Sequence, residues 1–215
     1  RPVDIHLKSL SKLGVKYKIK DGYIYATAPK GLKGNIITFP KISVGATENI
    51  IIAACFAKGE TILKNCAVEP EIKDLIFFLK KMGFNINWKG KRILKIKGSQ
   101  EIKELTHFVM PDRIETGTYL IAGALTNGRL HIKNINPKII RTEINILKKI
   151  GVDIKIKRSE VIVFRKKKLR SLNLKTAPYP GFPTDLQAQI MVLLCVANGQ
   201  SSITEKIFEN RFMHA

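Results

Sequence analysis

Acidic residues are scarce in this 215-residue chain: 17 Asp and Glu stand against 38 Lys and Arg, a formal net charge of +21. Cysteine is scarcer still. Cys55, Cys66 and Cys195 form an odd set without paired metal-ligand spacing, which argues against a disulfide framework or a thiolate zinc site and suits a reducing cytosol. His6, His107, His131 and His214 share no ligand spacing either, so no metal is expected. Aromatic residues are 7% of the chain, too few to interleave with basic residues as stacking platforms for nucleic acid. The longest apolar runs, Ile50 to Ala57 and Ile190 to Ala197, fall far short of the ~20 residues of a membrane-spanning helix. G-x-G-x-x-G and G-x-S-x-G are missing, and Gly31-Leu-Lys-Gly34 is a turn rather than a phosphate loop. The opening residues are not those of a signal peptide. With no initiator Met and an abrupt stop at Phe-Met-His-Ala, the expectation is an internal piece of a longer protein.

What is present in excess is lysine and isoleucine: 29 Lys against 9 Arg, with 31 Ile. That pairing is what an AT-rich genome writes. The lysines are dispersed, with one three-lysine run at Lys166 to Lys168. An RNA binder needs a continuous basic stripe and favours Arg. The charge therefore predicts attraction for anionic small molecules, with neither nucleic acid nor membrane as partner. At 45% hydrophobic and 26% charged, the bulk of the chain is globular with a sizeable core.

Self-similarity organises the rest. Ser9 to Ile19, Asp74 to Ile86 and Glu143 to Ile156 each read as an amphipathic helix stopped by a glycine, Gly14, Gly83 or Gly151, then an alternating strand. Second strands follow at Tyr23 to Ala26, Arg92 to Ile96 and Val161 to Phe164. Ala46 to Gly59, Glu115 to Gly128 and Leu186 to Gly199 form an interleaved second set. Each is polar in its first turn and apolar almost all round afterwards, the pattern of a buried helix, and each runs into a strand. Both sets of glycines recur about every 70 residues. The predicted fold is α/β (α+β), three copies of a unit with two helices and about four strands. Cys55 and Cys195 fall at one repeat position and are expected to be inert core thiols. Cys66 lies in a loop without an activating neighbour.

Chemistry is expected where the buried helices start. Lys41-Ile42-Ser43-Val44-Gly45 puts a hydroxyl, small residues and a lysine at a helix N-terminus. It reads as a phosphate site or as a plain Ser43 cap. Pro180-Gly-Phe-Pro183-Thr184-Asp185 fixes a carboxylate at a loop-to-helix junction, as a cap or a proton acceptor. Pro111-Asp112-Arg113-Ile-Glu115 reads as a local ion-pair and capping cluster. Arg1-Pro2-Val3-Asp4 holds an arginine suited to phosphate or carboxylate.

Six segments in order, Arg1-Pro-Val-Asp-Ile-His6, Ser43-Val-Gly-Ala-Thr-Glu-Asn49, Glu69-Pro-Glu-Ile-Lys-Asp74, Pro111-Asp-Arg-Ile-Glu-Thr-Gly-Thr118, Ala177 to Gln189 and Glu205 to His214, resemble the UDP-N-acetylglucosamine 1-carboxyvinyltransferase family of enolpyruvyl transferases. The resemblance covers essentially the whole chain. It implies an inside-out α/β barrel of six repeats in two three-repeat domains, of which this chain would be roughly the middle half. Residues 1–110 would be most of one domain and 111–215 an incomplete part of the other. The implied reaction moves the enolpyruvyl group of phosphoenolpyruvate to the sugar 3-hydroxyl through a tetrahedral intermediate, without metal or organic cofactor. It is the committed step of peptidoglycan synthesis in the bacterial cytoplasm, and the small-molecule substrates are the expected partners. By resemblance, Arg1 meets the phosphoenolpyruvate and nucleotide region. Pro2, Val3, Asp4 and Ile5 line the uridine side, and Lys41, Ile42, Ser43, Val44 and Gly45 hold the diphosphate. Asp185 is the base on the 3-hydroxyl, Ile207 lines the sugar site, and Glu69, Arg113 and Arg211 match charged positions around the cleft.

The family's catalytic cysteine, an aspartate in some members, lies just before the Arg-Pro-Val-Asp motif. No cysteine here inherits that role, so the chain alone is expected to be inactive. The alternatives are an enolpyruvyl transferase with a shikimate acceptor and, less favoured, an RNA-processing repeat domain. Composition and spacing leave the oligomeric state open.

Overall fold

The computed structural model describes residues 3–99 and 101–215, and the chain divides between Val109 and Met110 into two compact units. The first contains α1 (Asp4–Lys12), β1 (Lys16–Lys20), β2 (Tyr23–Thr27), β3 (Ile36–Thr38), α2 (Val44–Cys55), β4 (Glu60–Lys64), α3 (Pro70–Lys81), β5 (Asn85–Gly90) and β6 (Ile93–Lys97). The second contains α4 (Arg113–Leu125), β7 (Leu130–Lys133), α5 (Arg141–Ile150), β8 (Asp153–Ile156), β9 (Glu160–Phe164), β10 (Asn173–Lys175), α6 (Gln187–Cys195) and β11 (Ser202–Thr204).

The same connectivity is used in both. β3 and β4 pair in parallel across α2, and β10 and β11 pair in parallel across α6. An antiparallel hairpin follows each amphipathic helix: β1–β2 after α1, β5–β6 after α3, β8–β9 after α5. The later two hairpins add their second strand, antiparallel, to β4 and to β7. The predicted unit of two helices and four strands holds for the first and third copies. In the middle copy no strand lies among the described residues between β6 and α4, which is where one unit ends and the next begins.

The three glycine stops are one structure made three times. Gly14, Gly83 and Gly151 have φ of +100°, +107° and +103°. In each, the glycine N–H bonds the carbonyl three residues back, to Ser11, Lys80 or Lys148. The next N–H reaches the carbonyl five residues back, to Leu10, Leu79 or Leu147. These are Schellman turns, with an apolar residue (Val15, Phe84, Val152) after each glycine to meet the leucine that accepts its N–H. The turn after α4 differs from its counterparts. There Asn127, at φ +56°, takes the left-handed conformation, and Gly128 does not, because asparagine tolerates that region.

Each unit has its own core. In the first, α2 supplies Ala46, Ile50, Ile51, Ala54 and Cys55, all fully buried against Leu63, Leu94 and Ile96 from the sheet. In the second, Leu120 and Ala124 of α4 and Ile190 and Leu193 of α6 pack with the apolar faces of α5 and β9. α4 comes so close to the turn ahead of α6 that a Cβ on Gly117 would lie 2.4 Å from Leu186 Cδ1. Cys55 behaves as expected: burial pushes its thiol up to about 12, and burial does the same for Cys66. Cys195 corrects the sequence reading. It is exposed, as are Val192 and Val196, because α6 is covered along its α4 side while no element of its own unit covers this face.

An alanine at position 151 would have to adopt a left-handed φ. Gly151→Ala is therefore expected to cost about 1–2 kcal/mol in urea denaturation. Gly128→Ala, whose backbone is not left-handed and whose nearest neighbour is the flexible Thr126 hydroxyl, is expected to cost clearly less. Equal losses would contradict the assignment of Gly151 as the conformationally obligatory stop.

Candidate active site

In the first unit the site candidates gather at the start of α2. Ser43 is extended, at φ −140° and ψ 121°, and caps the helix: its Oγ accepts from the Ala46 N–H at 3.3 Å. Thr47 Oγ1 donates to the Ser43 carbonyl at 2.7 Å and accepts from the Ala67 N–H at 3.1 Å, tying the helix start to the segment ahead of α3. Ile42 and Val44 pack on the core to either side, and Lys41 is exposed immediately before them. The first-turn amides of Val44 and Gly45 lie at the end of the helix where intrahelical acceptors run out. The Ser43 cap satisfies one of several first-turn amides and so does not exclude an anion at this helix end.

Arg1 and Pro2 lie outside the described residues. Val3, at the N-cap position of α1, and Asp4 are exposed, while Ile5 packs on the core. α1 brings this segment to the α2 start through a residue that the sequence reading set aside. The His6 ring lies against Gly45, where a Cβ would stand 3.4 Å from its Cε1. Its Nδ1 is 2.6 Å from Asn49 Nδ2, within hydrogen-bond distance of that amide.

Beside this start is an acidic group. Glu69 is buried at the N-terminus of α3, with Oε2 accepting from the Val68 N–H at 2.8 Å. Burial raises the pKa of Glu48, and the nearby charges of Glu71 and Glu69 raise it further.

In the second unit Arg113 is buried at the start of α4 and pairs with buried Glu143 of α5, 3.8 Å away. Asp112 is the cap, accepting from the Ile114 N–H at 2.7 Å and the Glu115 N–H at 3.2 Å. The capping part of the expected local cluster is thus present. The arginine's ion pair, however, is to another helix, and it fixes α4 against α5.

Asp185 sits in a 3₁₀ turn, Thr184 to Leu186, that leads into α6. The residue at the N-cap position of that turn is Pro183, and no backbone N–H among the described residues donates to the Asp185 side chain. Instead Oδ1 accepts from Arg211 Nη2 at 2.9 Å, and the Asp185 side chain is 49% exposed. Oδ2 has no hydrogen-bond partner among the described residues. Arg211 also lies over the Phe208 ring, 5.2 Å from its centroid, which keeps the guanidinium in place. Ile207 is half-buried on the same turn.

The sequence reading missed the residue that organises this turn. Glu205 Oε1 accepts from Thr176 Oγ1 (2.9 Å), the Ile207 N–H (2.6 Å) and the Phe208 N–H (3.1 Å), and Oε2 accepts from Thr184 Oγ1 (2.7 Å). Burial works to raise this carboxyl, but the bonds from Thr184, Ile207, Phe208 and Thr176 outweigh it and hold the pKa below the ordinary value. Glu205 opens the last of the six motifs; only the turn in three dimensions shows its donors.

Parallel strand pairs around apolar helices, flanked by hairpins, make this an enolpyruvyl-transferase fold. The enolpyruvyl transferase NikO from Streptomyces tendae matches 99% of this chain and 53% of its own with a TM-score of 0.89 at 24% identity. An EPSP synthase from Acinetobacter baumannii matches 94% of this chain and 48% of its own, with TM-score 0.64 at 18% identity. Those identities speak for fold alone. The profile of the EPSP synthase (3-phosphoshikimate 1-carboxyvinyltransferase) family matches residues 1–215, and the chain belongs to that family. Among sequence relatives, the UDP-N-acetylglucosamine 1-carboxyvinyltransferase of Pelagibacter ubique is 66% identical over 214 residues, and that of Endomicrobium trichonymphae 48%. All of this chain is aligned in both, yet it spans about half the length of these curated relatives, 51% of each. Among the described residues no helix is long and apolar enough to cross a membrane.

Because Glu205 is held below its unfolded pKa, its charge stabilises the fold at neutral pH. That contribution is full above the unfolded value of about 4.3 and is lost as pH falls through the folded value. Glu205→Gln is therefore expected to be less stable than the parent chain at pH 7, with the gap closing below about pH 4. Urea denaturation from pH 7 to pH 3 checks this, and a gap independent of pH would count against the ionised clamp.

Proposed function

We propose that this chain is the central part of a bacterial cytoplasmic enzyme. That enzyme transfers the enolpyruvyl group of phosphoenolpyruvate to the 3-hydroxyl of UDP-N-acetylglucosamine, the committed step of peptidoglycan synthesis, on which cell shape and division depend. The observation that carries the reading is the 66% identity, over the whole chain, to a UDP-N-acetylglucosamine 1-carboxyvinyltransferase. The geometry fits it. The capped α2 start, with exposed Lys41 ahead of Ser43, Val44 and Gly45, suits a diphosphate. Val3, Asp4 and Ile5, brought to that start by His6, would line the uridine with Arg1 and Pro2.

Asp185 is the proposed base. The sugar hydroxyl is a poor nucleophile until its proton has somewhere to go. Oδ2 of Asp185 would take it as the oxygen bonds to C2 of phosphoenolpyruvate. The methylene carbon gains a proton from a general acid that this chain does not supply, the place the resemblance gives to the family's catalytic cysteine or aspartate, to give a tetrahedral adduct. Loss of a proton from that carbon then expels phosphate and restores the double bond. Arg211 holds the other carboxylate oxygen and so fixes the direction of Oδ2, and Ile207 would line the sugar. Glu69 and Arg113 are assigned supporting places, since both are buried in structural contacts. The proposed reaction uses no metal or organic cofactor.

The test is to graft this chain in place of the corresponding segment of the Pelagibacter ubique relative. The graft is expected to release phosphate from phosphoenolpyruvate when UDP-N-acetylglucosamine is supplied; release only with shikimate 3-phosphate would overturn the acceptor. In the same graft, Asp185→Asn is expected to lower kcat by roughly 10²–10⁴ while sugar-nucleotide binding stays within about tenfold. Stability should change by no more than about 1 kcal/mol, because a half-exposed pair is all that is disturbed. A stable variant with intact kcat would rule out Asp185 as the base.

A further inference from the structure

We infer that Glu205 is a positioning residue that holds Asp185 and Arg211 against each other, an inference resting on the reading of Asp185 as the reacting carboxylate. Neither Asp185 nor Arg211 is fixed by regular secondary structure: one lies in a 3₁₀ turn, the other in the turns that follow β11. Glu205 ties those two segments to each other. Oε2 takes the hydroxyl proton of Thr184, the residue adjoining Asp185, at 2.7 Å. Oε1 takes the N–H groups of Ile207 and Phe208 at 2.6 and 3.1 Å, which closes the turn whose continuation carries Arg211. A third arm, from Thr176 Oγ1 at 2.9 Å, anchors the carboxylate to the end of β10, and that hydroxyl in turn accepts from the Lys206 N–H at 2.8 Å. Thr176 and Thr184 are both buried, so these bonds lie where water competes poorly. The carboxylate meets two hydroxyls and two amides and no cation in these contacts. Its charge is thus spent on geometry, leaving Arg211 to Asp185.

The arms are chemically alike but lead to different places, and that separates positioning from mere stability. Thr184→Val removes the arm beside Asp185 and leaves Glu205 its turn amides and Thr176. Thr176→Val removes the β10 arm and leaves the link to Asp185 whole. In the 215-residue chain, the Arg211 Nε–Hε signal in ¹H–¹⁵N spectra reports the pairing. It is expected to shift or broaden in Thr184→Val, stay put in Thr176→Val, and return in Thr184→Ser, which keeps the hydroxyl. In the graft described above, Thr184→Val is expected to lower kcat about tenfold to a hundredfold, as loss of aim does, with KM for the sugar nucleotide within about twofold. Thr176→Val should keep kcat within about twofold. An Arg211 signal unmoved by Thr184→Val, or valine variants indistinguishable in both signal and kcat, would overturn the inference. Because the signal is read without turnover, it decides the positioning role even if Asp185→Asn were to leave kcat intact and so defeat the base assignment.

Discussion

A helix that is apolar almost all round cannot rest on a surface, and this constraint governs the architecture. α2 has 12 residues, half of them buried, and α4 and α6 follow the same plan. Such helices pack strands and amphipathic helices around them, α2 closely, whereas α6 keeps one face exposed in its own unit. Their polar first turns are then the natural places where the central helices can offer backbone and side-chain polar groups to a ligand. Ser43, Asp112 and Asp185 all stand at or beside such starts. The three starts differ. Ser43 and Asp112 are N-caps that accept from helix amides, whereas in the third copy Pro183 stands at that position and Asp185, two residues on, accepts from Arg211.

Carboxylates beside these starts show how far neighbours set charge. Glu48 is surrounded by Glu69 and Glu71 and partly buried, so proton binding is favoured. Glu205 suffers burial too, yet four donated hydrogen bonds reverse its effect. The difference lies in the partners, since desolvation acts in the same direction on both. An ionised Glu205 can serve as a fixed structural anion, whereas Glu48, in its acidic company, is the less ready to carry charge.

The repeat was legible because each copy pays the same local requirement in the same residue: a left-handed stop, which only Gly14, Gly83 and Gly151 satisfy cheaply. The turn after α4 departs from the pattern, because Asn127 takes the left-handed conformation where a glycine also stands next door. Periodicity likewise placed α6 but not its cover. Nothing in the run Ile190 to Ala197 says which side its own unit leaves open, and Cys195 is on that side. The site followed the same division. Motifs located Ser43 and Asp185, but the bonds between Asn49 and His6 and from Thr184 to Glu205 join residues 43 and 21 positions apart. Spacing along the chain carries no trace of such pairs.

A cap and a base are exclusive uses of one carboxylate, and the contacts of Asp185 bear on that choice. A capping oxygen is occupied by helix amides and points back along the axis, so a substrate proton would have to displace those bonds. At Asp185 the 3₁₀ turn begins at Thr184, and the hydroxyl of Thr184 is turned away to Glu205. The helix start is thus given up as a partner on both residues. Arg211 takes over as the group that orients Asp185, from the side and through one oxygen only. That leaves Oδ2 without a hydrogen-bond partner among the described residues, on a side chain that is half exposed; a proton acceptor needs an oxygen of that kind, held in direction and not consumed.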